Sequence, residues 1–297
     1  PGLSVLELAL SARRESYDDL GVQSNPRIGL RYAPTPSLAF TATYATSFRA
    51  PSLSDRDPRS TAQIGAGPPA GGPYTAEQLK IEHVDPGRQV FVIGRSGGNA
   101  NLVPETATSW SGGLTWQPTF TPLTQLGLHY YSIEYNNRID APGANAGPIA
   151  AITHPTGYYD EFITYNPAFF PERAARNGIV DGFDATTVAG FESLLQSLYS
   201  SADPPFAGTA PDPTNVVAVL DGRRSNAARL TTRGLDLSLR SAWSNRYGEW
   251  RFDAAANFVF EWKTAPSRNA PLVDSVDRIF NPVSKQATAQ LTWQRDP

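Results

Sequence analysis

The sequence predicts an all-β fold, specifically an antiparallel up-and-down β-barrel that crosses a membrane with its strands. About eight segments of ten or so residues alternate apolar and polar side chains, and this period of two is typical of strands. Their connections alternate between tight turns and long loops, which is the asymmetry of outer-membrane barrels. Strands of soluble domains are roughly half as long, and a soluble sandwich has no reason to gather its long loops at one end.

Composition excludes several other classes of protein. The chain has 297 residues and a formal net charge of −3, which argues against a nucleic-acid-binding surface. Cysteine is absent, so we expect neither disulfides nor thiolate metal sites. No apolar run approaches the roughly 20 residues that a spanning helix needs. Methionine is also absent, even at position 1, so we expect the chain to be processed or to be an excerpt from a longer one.

The first three predicted strands cover residues 3–14, 25–32 and 38–48. Apolar side chains occupy alternate positions in each, as Leu6, Leu8 and Leu10 do in the first. A short connection at 17–24 joins the first two strands, and a proline-flanked turn at 34–37 joins the second and third. Residues 49–102 are rich in glycine, proline and polar residues, and we expect them to form a long loop.

Strand alternation resumes at 105–117 and, after a tight turn at 118–122, returns at 123–139. A second and longer excursion spans residues 140–226. Within it, residues 186–200 place apolar side chains at helical spacing and precede two prolines, so we expect a short amphipathic helix there.

The strand predicted at 229–242 shows the pattern most clearly. Its two sides are Leu235, Leu237 and Leu239 against Gly234, Asp236, Ser238 and Arg240. A tight turn near 245–248 leads to a strand at 249–261, where the even positions from Trp250 to Phe260 face one way. A loop at 262–284 and a last strand at 285–295 complete the chain.

The polar sides of these strands carry charges that suit a water-filled lumen. These charges are Glu7, Arg13, Arg27, Arg31, Asp236, Arg240, Arg251 and Asp253. Five aromatic residues lie at or near the short-turn ends, where membrane barrels carry an aromatic girdle. They are Tyr32, Trp116, Trp243, Trp250 and Trp293.

Three segments resemble motifs of the TonB-dependent outer-membrane receptors. Residues 44–53 read Tyr-Ala-Thr-Ser-Phe-Arg-Ala-Pro-Ser-Leu and resemble the FRAP segment of that family. Residues 99–106, Asn-Ala-Asn-Leu-Val-Pro-Glu-Thr, are similar to its NPxLKPE(T/S) segment, with Val103 in place of the commoner basic residue. Residues 226–237 end in Thr-Arg-Gly-Leu-Asp-Leu and resemble its T(R/K)G(V/I/L)DL strand. The three follow one another in the family's order.

The resemblance implies a 22-stranded barrel in the outer membrane of a Gram-negative bacterium, with a plug domain in its lumen. It implies uptake of a scarce ligand such as a ferric siderophore, energised by the TonB complex. The chain would supply about eight strands from the middle to later part of the barrel. Residues 1–297 are therefore expected to be a partial barrel domain without the plug, the TonB box and the closing strands.

The partners that the resemblance implies are the TonB complex, the receptor's own plug domain, outer-membrane lipid and the small ligand. Two other classes stay open. A passive porin-like channel or a barrel adhesin without TonB coupling fits the strands and loops but not the three motifs. A soluble all-β carbohydrate-binding protein would be favoured if the chain folded without detergent, whereas a partial barrel with unpaired edges should aggregate when expressed alone.

Seven residues are candidates for facing a ligand or the plug from the lumen. They are Arg27, Arg31, Arg49, Asp236, Arg240, Arg251 and Asp253. The arginines would guide an anionic ferric complex or pair with acidic plug residues. The alternative is a set of solvated wall charges balanced by their neighbours, and for Arg49 a salt bridge that anchors a loop. Residues 221–224, Asp-Gly-Arg-Arg, could touch a ligand or form a turn with a solvated charge pair.

No catalytic residue, cofactor site or metal site is expected, and the chain is not expected to be an enzyme. His83, His129 and His154 are isolated from further ligands at metal spacing. No nucleophile with a base and no phosphate-binding loop stands out. Glu105 follows Pro104 at the entrance of a strand, where we expect its carboxylate to bond to the backbone.

Overall fold

The long strands form one open antiparallel sheet. Long strands that are consecutive in the sequence are also neighbours in this sheet. The computed structural model describes residues 5–18, 20–57, 59, 63–66, 73–121, 123–200, 206–207 and 210–295. The sheet contains the short strand β16 (Val273–Asp274) beside β15 and eight long strands, hereafter the wall: β1 (Val5–Tyr17), β2 (Gly21–Thr35), β3 (Leu38–Arg49), β7 (Glu105–Trp116), β8 (Thr124–Asp140), β14 (Ser225–Asn245), β15 (Gly248–Ala265) and β17 (Lys285–Gln294). They pair in that order, with β1 at one edge and β17 at the other.

Shorter elements lie in the long connections of the wall. The short strands are β4 (Gln63–Ala66), β5 (Tyr74–Thr75), β6 (Gln89–Ser96), β9 (Ile163–Tyr165), β10 (Ile179–Val180), β11 (Phe183–Asp184), β12 (Phe206–Ala207), β13 (Val216–Asp221) and β16 (Val273–Asp274). The helices are α1 (Leu53–Arg56), α2 (Pro142–Ala146), α3 (Pro148–Thr153), α4 (Pro171–Ala174) and α5 (Val188–Ser200), with 3₁₀ turns at Asp160–Phe162 and Pro213–Asn215. In the described part of the chain, no helix is both long and apolar enough to cross a bilayer.

The strand register gives the wall one apolar face and one polar face. Residues directly opposite each other in neighbouring strands point to the same side of a sheet. One row across the wall reads Leu8, Leu30, Ala42, Gly112, Tyr130, Leu235 and Phe258. The row one residue away reads Glu7, Arg31, Thr41, Gly113, His129, Asp236, Asn257 and Gln286. The predicted sides of the strand at 229–242 are therefore confirmed, although the apolar row reaches Lys285 opposite Phe258 in the last strand.

The tight connections and the aromatic residues meet at one end of the wall. Asn245 pairs with Gly248 around a two-residue turn, and its side chain accepts a hydrogen bond from the backbone nitrogen of Tyr247 at 2.8 Å. Beside this turn, Trp243 stacks on Trp250 with ring centroids 6.2 Å apart, and Trp250 contacts Trp293 at 6.0 Å. The three indoles belong to one row of the apolar face, because they are cross-strand partners.

The strands extend beyond their predicted ends, and one of them is irregular. The strand predicted at 229–242 runs from Ser225 to Asn245, and residues 1–4 of the first predicted strand lie outside the described part. Uninterrupted alternation through Phe260 is wrong. Arg233 pairs with Glu261 and Gly234 with Val259, so Phe260 is an extra residue in a β-bulge.

The two long connections predicted as loops are a folded unit. We call this unit the cap and define it as the described residues of 50–104 and 141–224. Its sheet has the order β12, β4, β6, β13, β9, and β13 runs parallel to β6. Because β6 comes from the first connection and β13 from the second, a single ladder joins them.

Two apolar cores belong to the cap. One contains Val90 and Val92 of β6 with Ile152, Ile163 and Leu220. The other contains Ile93 and Val219 against Phe191, Leu194 and Leu195 of α5, which confirms the predicted helix. The expectation of a long loop at 49–102 missed β6. A strand covered on both faces is continuously apolar, and therefore lacks the alternation that marks a strand in sequence.

Candidate functional site

The polar face of the wall holds the predicted lumen charges in local pairs. The Arg31 guanidinium lies 3.4 Å from the Glu7 carboxylate on the neighbouring strand. Arg240 lies 3.7 Å from Asp253 in the same way, with both side chains well exposed. Asp236 accepts a hydrogen bond from the Asn257 amide at 2.6 Å. The two ion pairs balance charge between neighbouring strands, whereas the neutral Asn257 amide hydrogen-bonds Asp236 without balancing its charge.

Arg27 and Arg251 have uncharged cross-strand neighbours. Arg27 lies opposite Ser11 and Ala45, and Arg251 lies opposite Ala242 and Thr292. The predicted residues on the polar face do not converge on one point. Arg31 and Asp236 share a row but are four strand steps apart, which is roughly 19 Å at the usual strand spacing.

Glycines on the polar face make room for large side chains of neighbouring strands. A Cβ at Gly234 would lie 2.4 Å from the Tyr131 hydroxyl and 2.6 Å from the backbone oxygen of Phe258. At Gly113 it would lie 2.3 Å from a ring nitrogen of His129. Gly234 also adjoins the bulge in the β14–β15 ladder.

A cluster of polar residues lies where the wall meets the cap. We define this rim cluster as Arg49, Asp55, Glu105, Arg224 and Asn226. Glu105 is completely buried. Its carboxylate accepts hydrogen bonds from the backbone nitrogen of Ile139 and from the Tyr135 hydroxyl, each at 2.6 Å, and it lies 3.1 Å from Arg49. The expected bond from Glu105 to the backbone is confirmed.

Arg49 joins the wall to the first segment of the cap. Besides Glu105, its guanidinium lies 3.7 Å from Asp55, which in turn lies 3.6 Å from Arg224. Ser52 and Asp55 form a capping box at the start of α1, in which each side chain bonds the other residue's backbone nitrogen. Burial alone would raise the pKa of Asp55, but the Ser52 hydrogen bonds and the two arginines outweigh burial and lower it. Arg49 therefore anchors a loop in this structure.

Asn226 connects three stretches of backbone. Its amide nitrogen donates to the carbonyl oxygens of Val103 and Asn137 at 2.8 Å, and its amide oxygen accepts from the backbone nitrogen of Val103 at 2.8 Å. Asn99 contributes a further link, because its side chain donates to the Arg224 carbonyl at 3.0 Å. The three motif segments at 44–53, 99–106 and 226–237 are far apart in sequence but meet at this rim cluster.

The turn at residues 221–224 contains the expected charge pair, although it is partly buried. Arg223 donates through Nε to the Asp221 carboxylate at 2.9 Å. Burial favours a higher pKa for Asp221, but its hydrogen bonds with Arg223 and the charges of Arg223 and Arg95 outweigh burial and lower the pKa. Gly222 allows the close approach, since a Cβ there would lie 2.7 Å from the Ala144 methyl group.

The histidines occupy unrelated environments. His129 lies on the polar face of the wall, whereas His154 packs against Tyr158 and Tyr159 in the cap, with ring centroids 4.5 and 5.7 Å apart. Over the residues that the structure describes, no group of three or more histidine, aspartate or glutamate side chains is placed to hold a metal ion.

Sequence reasoning missed several members of the rim cluster and its partners. Tyr135 has no motif of its own, and its bond to Glu105 joins residues 30 positions apart. Asp55 ends the capping-box pattern Ser52-Leu-Ser-Asp55, so a signal was present, but its ion pair with Arg224 joins distant segments. The signal for Asn226 was present, because it opens one of the three motif segments, but its bonding to Val103 could not be inferred from spacing.

The model of the family described as TonB dependent receptor-like, beta-barrel matches residues 3–296. No curated protein matches the chain. Among solved structures, a mutant of the ferric enterobactin receptor PfeA from Pseudomonas aeruginosa is 16% identical, with a TM-score of 0.55, covering 98% of this chain and 28% of that one. A second PfeA mutant from P. aeruginosa, in complex with enterobactin, gives 15% identity, a TM-score of 0.54 and coverages of 98% and 28%.

A third similar structure is the siderophore receptor PirA from Acinetobacter baumannii, with 14% identity, a TM-score of 0.50 and coverages of 97% and 29%. The chain thus spans less than a third of the length of these receptors. At such identities the likeness concerns the fold, and that fold agrees with the antiparallel wall described above.

Proposed function

This chain belongs to the TonB-dependent receptor family through its β-barrel domain, and on that premise we propose that it forms part of an outer-membrane receptor that imports a scarce small ligand. The single observation that carries the proposal is the family match over residues 3–296. The rim cluster supports it, because the three motif segments that resemble the family also meet in space.

In this proposal, one face of the wall contacts lipid and the other lines the lumen. The apolar face, with its row of leucines and its tryptophan contacts near the tight turns, faces lipid. The polar face, with Arg31, Asp236 and Arg240, lines the lumen. The tight turns are then periplasmic, and the cap is extracellular, where it meets the ligand first.

We further propose that residues 1–297 are a partial barrel domain and that the plug and the TonB box belong to other parts of the receptor. The ligand would bind to the cap and to the outer surface of the plug. TonB would then pull on the plug and open a path along the polar face. No covalent chemistry is assigned to the chain.

A ferric siderophore is the ligand that we propose. The similar solved structures, which are described as siderophore or ferric enterobactin receptors, support this ligand. Arg27 and Arg251 are the wall arginines that we propose for contact with an anionic ligand or with the plug, because their cross-strand neighbours are uncharged.

Uptake of radioactive iron by cells grown under iron limitation tests the function. Deleting the gene should abolish uptake of one ferric siderophore, and deleting TonB in cells that keep the gene should do the same. Uptake that survives loss of TonB would favour the passive channel. Cell adhesion that is lost with the gene, while uptake is unchanged, would favour the adhesin.

The two arginines are tested by charge reversal in the same assay. The double variant Arg27→Glu, Arg251→Glu should lower uptake at least about tenfold. It reverses the sign of an electrostatic potential of several kT near the polar face, and this potential attracts an anionic ligand in the wild type. The matched control is Arg246→Glu, which alters an exposed arginine in a tight turn, and uptake should then stay normal. Equal uptake by the double variant and the wild type would remove both arginines from the proposed path.

A further inference from the structure

The two parts of the cap are joined by a backbone ladder. Residues 91–95 of β6 pair in parallel with residues of β13 from Val216 to Asp221. Parallel strands need a long crossover connection when they follow each other in the chain. Here the connection from β6 to β13 contains two wall strands, β7 and β8. The two halves of the cap therefore extend from the wall at different points of the chain, and both contribute strands to one sheet.

The apolar cores cross the same boundary. Ile93 of the first half packs in one core with Phe191 and Leu195 of the second half, and all three are fully buried. On the other side of the sheet, Val92 of the first half shares a core with Ile152 of the second. Neither half can open alone without exposing apolar surface of both, which costs roughly 25 cal/mol for each Å².

Polar contacts fasten the periphery of the ladder. Arg88 donates to the Thr214 carbonyl at 3.1 Å and to the Asn215 side chain at 3.2 Å. Arg95 donates to Asp181 at 2.7 Å. Two backbone bonds continue the connection toward the wall, from Gly222 to the Arg95 carbonyl at 2.8 Å and from Arg224 to the Gly97 carbonyl at 3.0 Å.

The base of the cap is built differently. The β8–β14 ladder shifts register twice between Asn226 and Leu230, and Asn137 has a positive φ of 55°. At this place the Asn226 side chain donates to the carbonyl oxygens of Val103 and Asn137. Beyond the irregularity the ladder continues, with Asn226 opposite Ile139 and Ser225 opposite Asp140.

We propose that the two long connections form a single lid that opens as one cooperative unit, and that neither connection opens independently of the other. Ligand contacts made by one half are then transmitted to the other through β6 and β13. This inference concerns the mechanics of the cap and stands whether or not the ligand is a siderophore.

Amide hydrogen exchange of the receptor in detergent, followed by peptide mass spectrometry with increasing denaturant, tests the single lid. In the wild type, the protected amides of 89–96 and 216–221 should reach one common opening free energy. Two separate values, with one half of the cap opening at lower denaturant, would overturn the proposal.

A variant provides the second measurement. Leu195→Ala, which removes buried atoms from the second half only, should accelerate exchange in both 89–96 and 188–200 by the same factor, at least about 30-fold from the usual cost of such truncations. The control Gln196→Ala changes an exposed side chain of the same helix and should leave both rates unchanged. Acceleration confined to 141–224 would contradict a single lid.

Val92→Ala is the reciprocal variant and serves also if Leu195→Ala fails to assemble. It truncates a fully buried side chain of the first half, and it should accelerate exchange in 163–165 and 216–221 of the second half together with 89–96. Unchanged exchange in the second half would contradict the proposal, as acceleration confined to one half would for Leu195→Ala.

Discussion

At the scale of single residues, Glu105 shows how a buried charge becomes a structural tie. Its carboxylate has no exposed surface, and three groups from two wall strands contact it: Arg49 of β3, and Tyr135 and the backbone nitrogen of Ile139 of β8. A buried ion is costly unless charge and hydrogen bonds compensate it. Here Arg49 and the two hydrogen bonds compensate the buried charge at the place where the cap joins the wall. The contacts of Glu105 therefore stabilise the position of the cap on the wall.

Replacing Glu105 tests that role. Glu105→Ala should lower the free energy of unfolding by about 3–5 kcal/mol, because it leaves buried donors without an acceptor. Chemical denaturation in detergent, followed by tryptophan fluorescence, measures the change. The control is Glu134→Gln on exposed Glu134 of β8, which should be within about 0.5 kcal/mol of wild type. Equal stabilities of the two variants would contradict a structural role for Glu105.

The lowered pKa of Asp221 predicts an acid-sensitive cap. A carboxyl whose pKa is lower in the folded state stabilises the fold above its ordinary pKa of 3.8, and this stability is lost as the pH falls through the folded value. The protection factors of the amides in 216–221, in which the intrinsic effect of pH is divided out, should therefore fall below pH 4.

Asp221→Asn should remove most of this pH dependence, because the titrating group is gone. Asp184→Asn is a matched control, since Asp184 also has a lowered pKa but bonds only within its own turn, to Thr186. An unchanged acid response in Asp221→Asn would assign the sensitivity to another group.

Individual roles were only partly predictable from sequence. The bond from Glu105 to the backbone followed from its position after a proline at a strand entrance. Its other partners did not, because Tyr135 and Arg49 reach it through register, which depends on how whole strands align. Pairing of Arg31 with Glu7 was foreseeable only as charge balance among neighbours.

At the scale of elements, Gly234 tests the packing of the polar face. Gly234→Ala would place a methyl group 2.6 Å from the backbone oxygen of Phe258, which cannot rotate away, and closer still to Tyr131. We expect a loss of about 1–3 kcal/mol in the free energy of unfolding. Thermal unfolding in detergent, monitored by circular dichroism, measures it.

Gly112→Ala is the control for this prediction. Gly112 lies on the apolar face, and a Cβ there would meet the Thr41 carbonyl at 3.8 Å, an ordinary contact. This variant should match or slightly exceed the stability of the wild type, since alanine in a strand restricts the unfolded chain more than glycine does. If both variants lost the same stability, crowding under Tyr131 would not explain the effect.

The elements also show why some parts were predictable. A wall strand has one apolar and one polar side, so alternation revealed all eight, with errors of a few residues at their ends. The runs Val-Phe-Val-Ile at 90–93 and Val-Val-Ala-Val-Leu at 216–220 are buried strands without alternation, and they lie within glycine- and proline-rich sequence. Their pairing with each other joins residues more than 120 positions apart, and spacing along the sequence does not reveal it.

At the scale of the whole molecule, the wall is an open sheet with a separately cored cap at one end. Its described part pairs β1 only with β2 and β17 only with β15, so the outer edges of both strands present free backbone groups. Lipid offers no hydrogen bonds to such edges. Water satisfies them but exposes the apolar face, on which Leu6, Leu8 and Leu10 stand more than 60% exposed.

A polypeptide of residues 1–297 expressed alone should therefore aggregate in buffer and should not insert into lipid vesicles as a monomer. Size-exclusion chromatography and protease protection in vesicles measure these outcomes. A monodisperse, cooperatively unfolding polypeptide in buffer would contradict the prediction and would favour a soluble all-β protein.

Closure of the eight strands into a small barrel is the outcome that must be separated from aggregation, because eight-stranded membrane barrels exist. Such a barrel has an interior just wide enough for side chains, and here that interior would have to enclose Arg27, Arg31, Arg240 and Arg251 along with His129 and Tyr131. Cysteines placed at Leu8 of β1 and Ala289 of β17 would form a disulfide only if the edges met. We expect no cross-link, because in the partial barrel that we propose these edges would pair with other strands of the receptor.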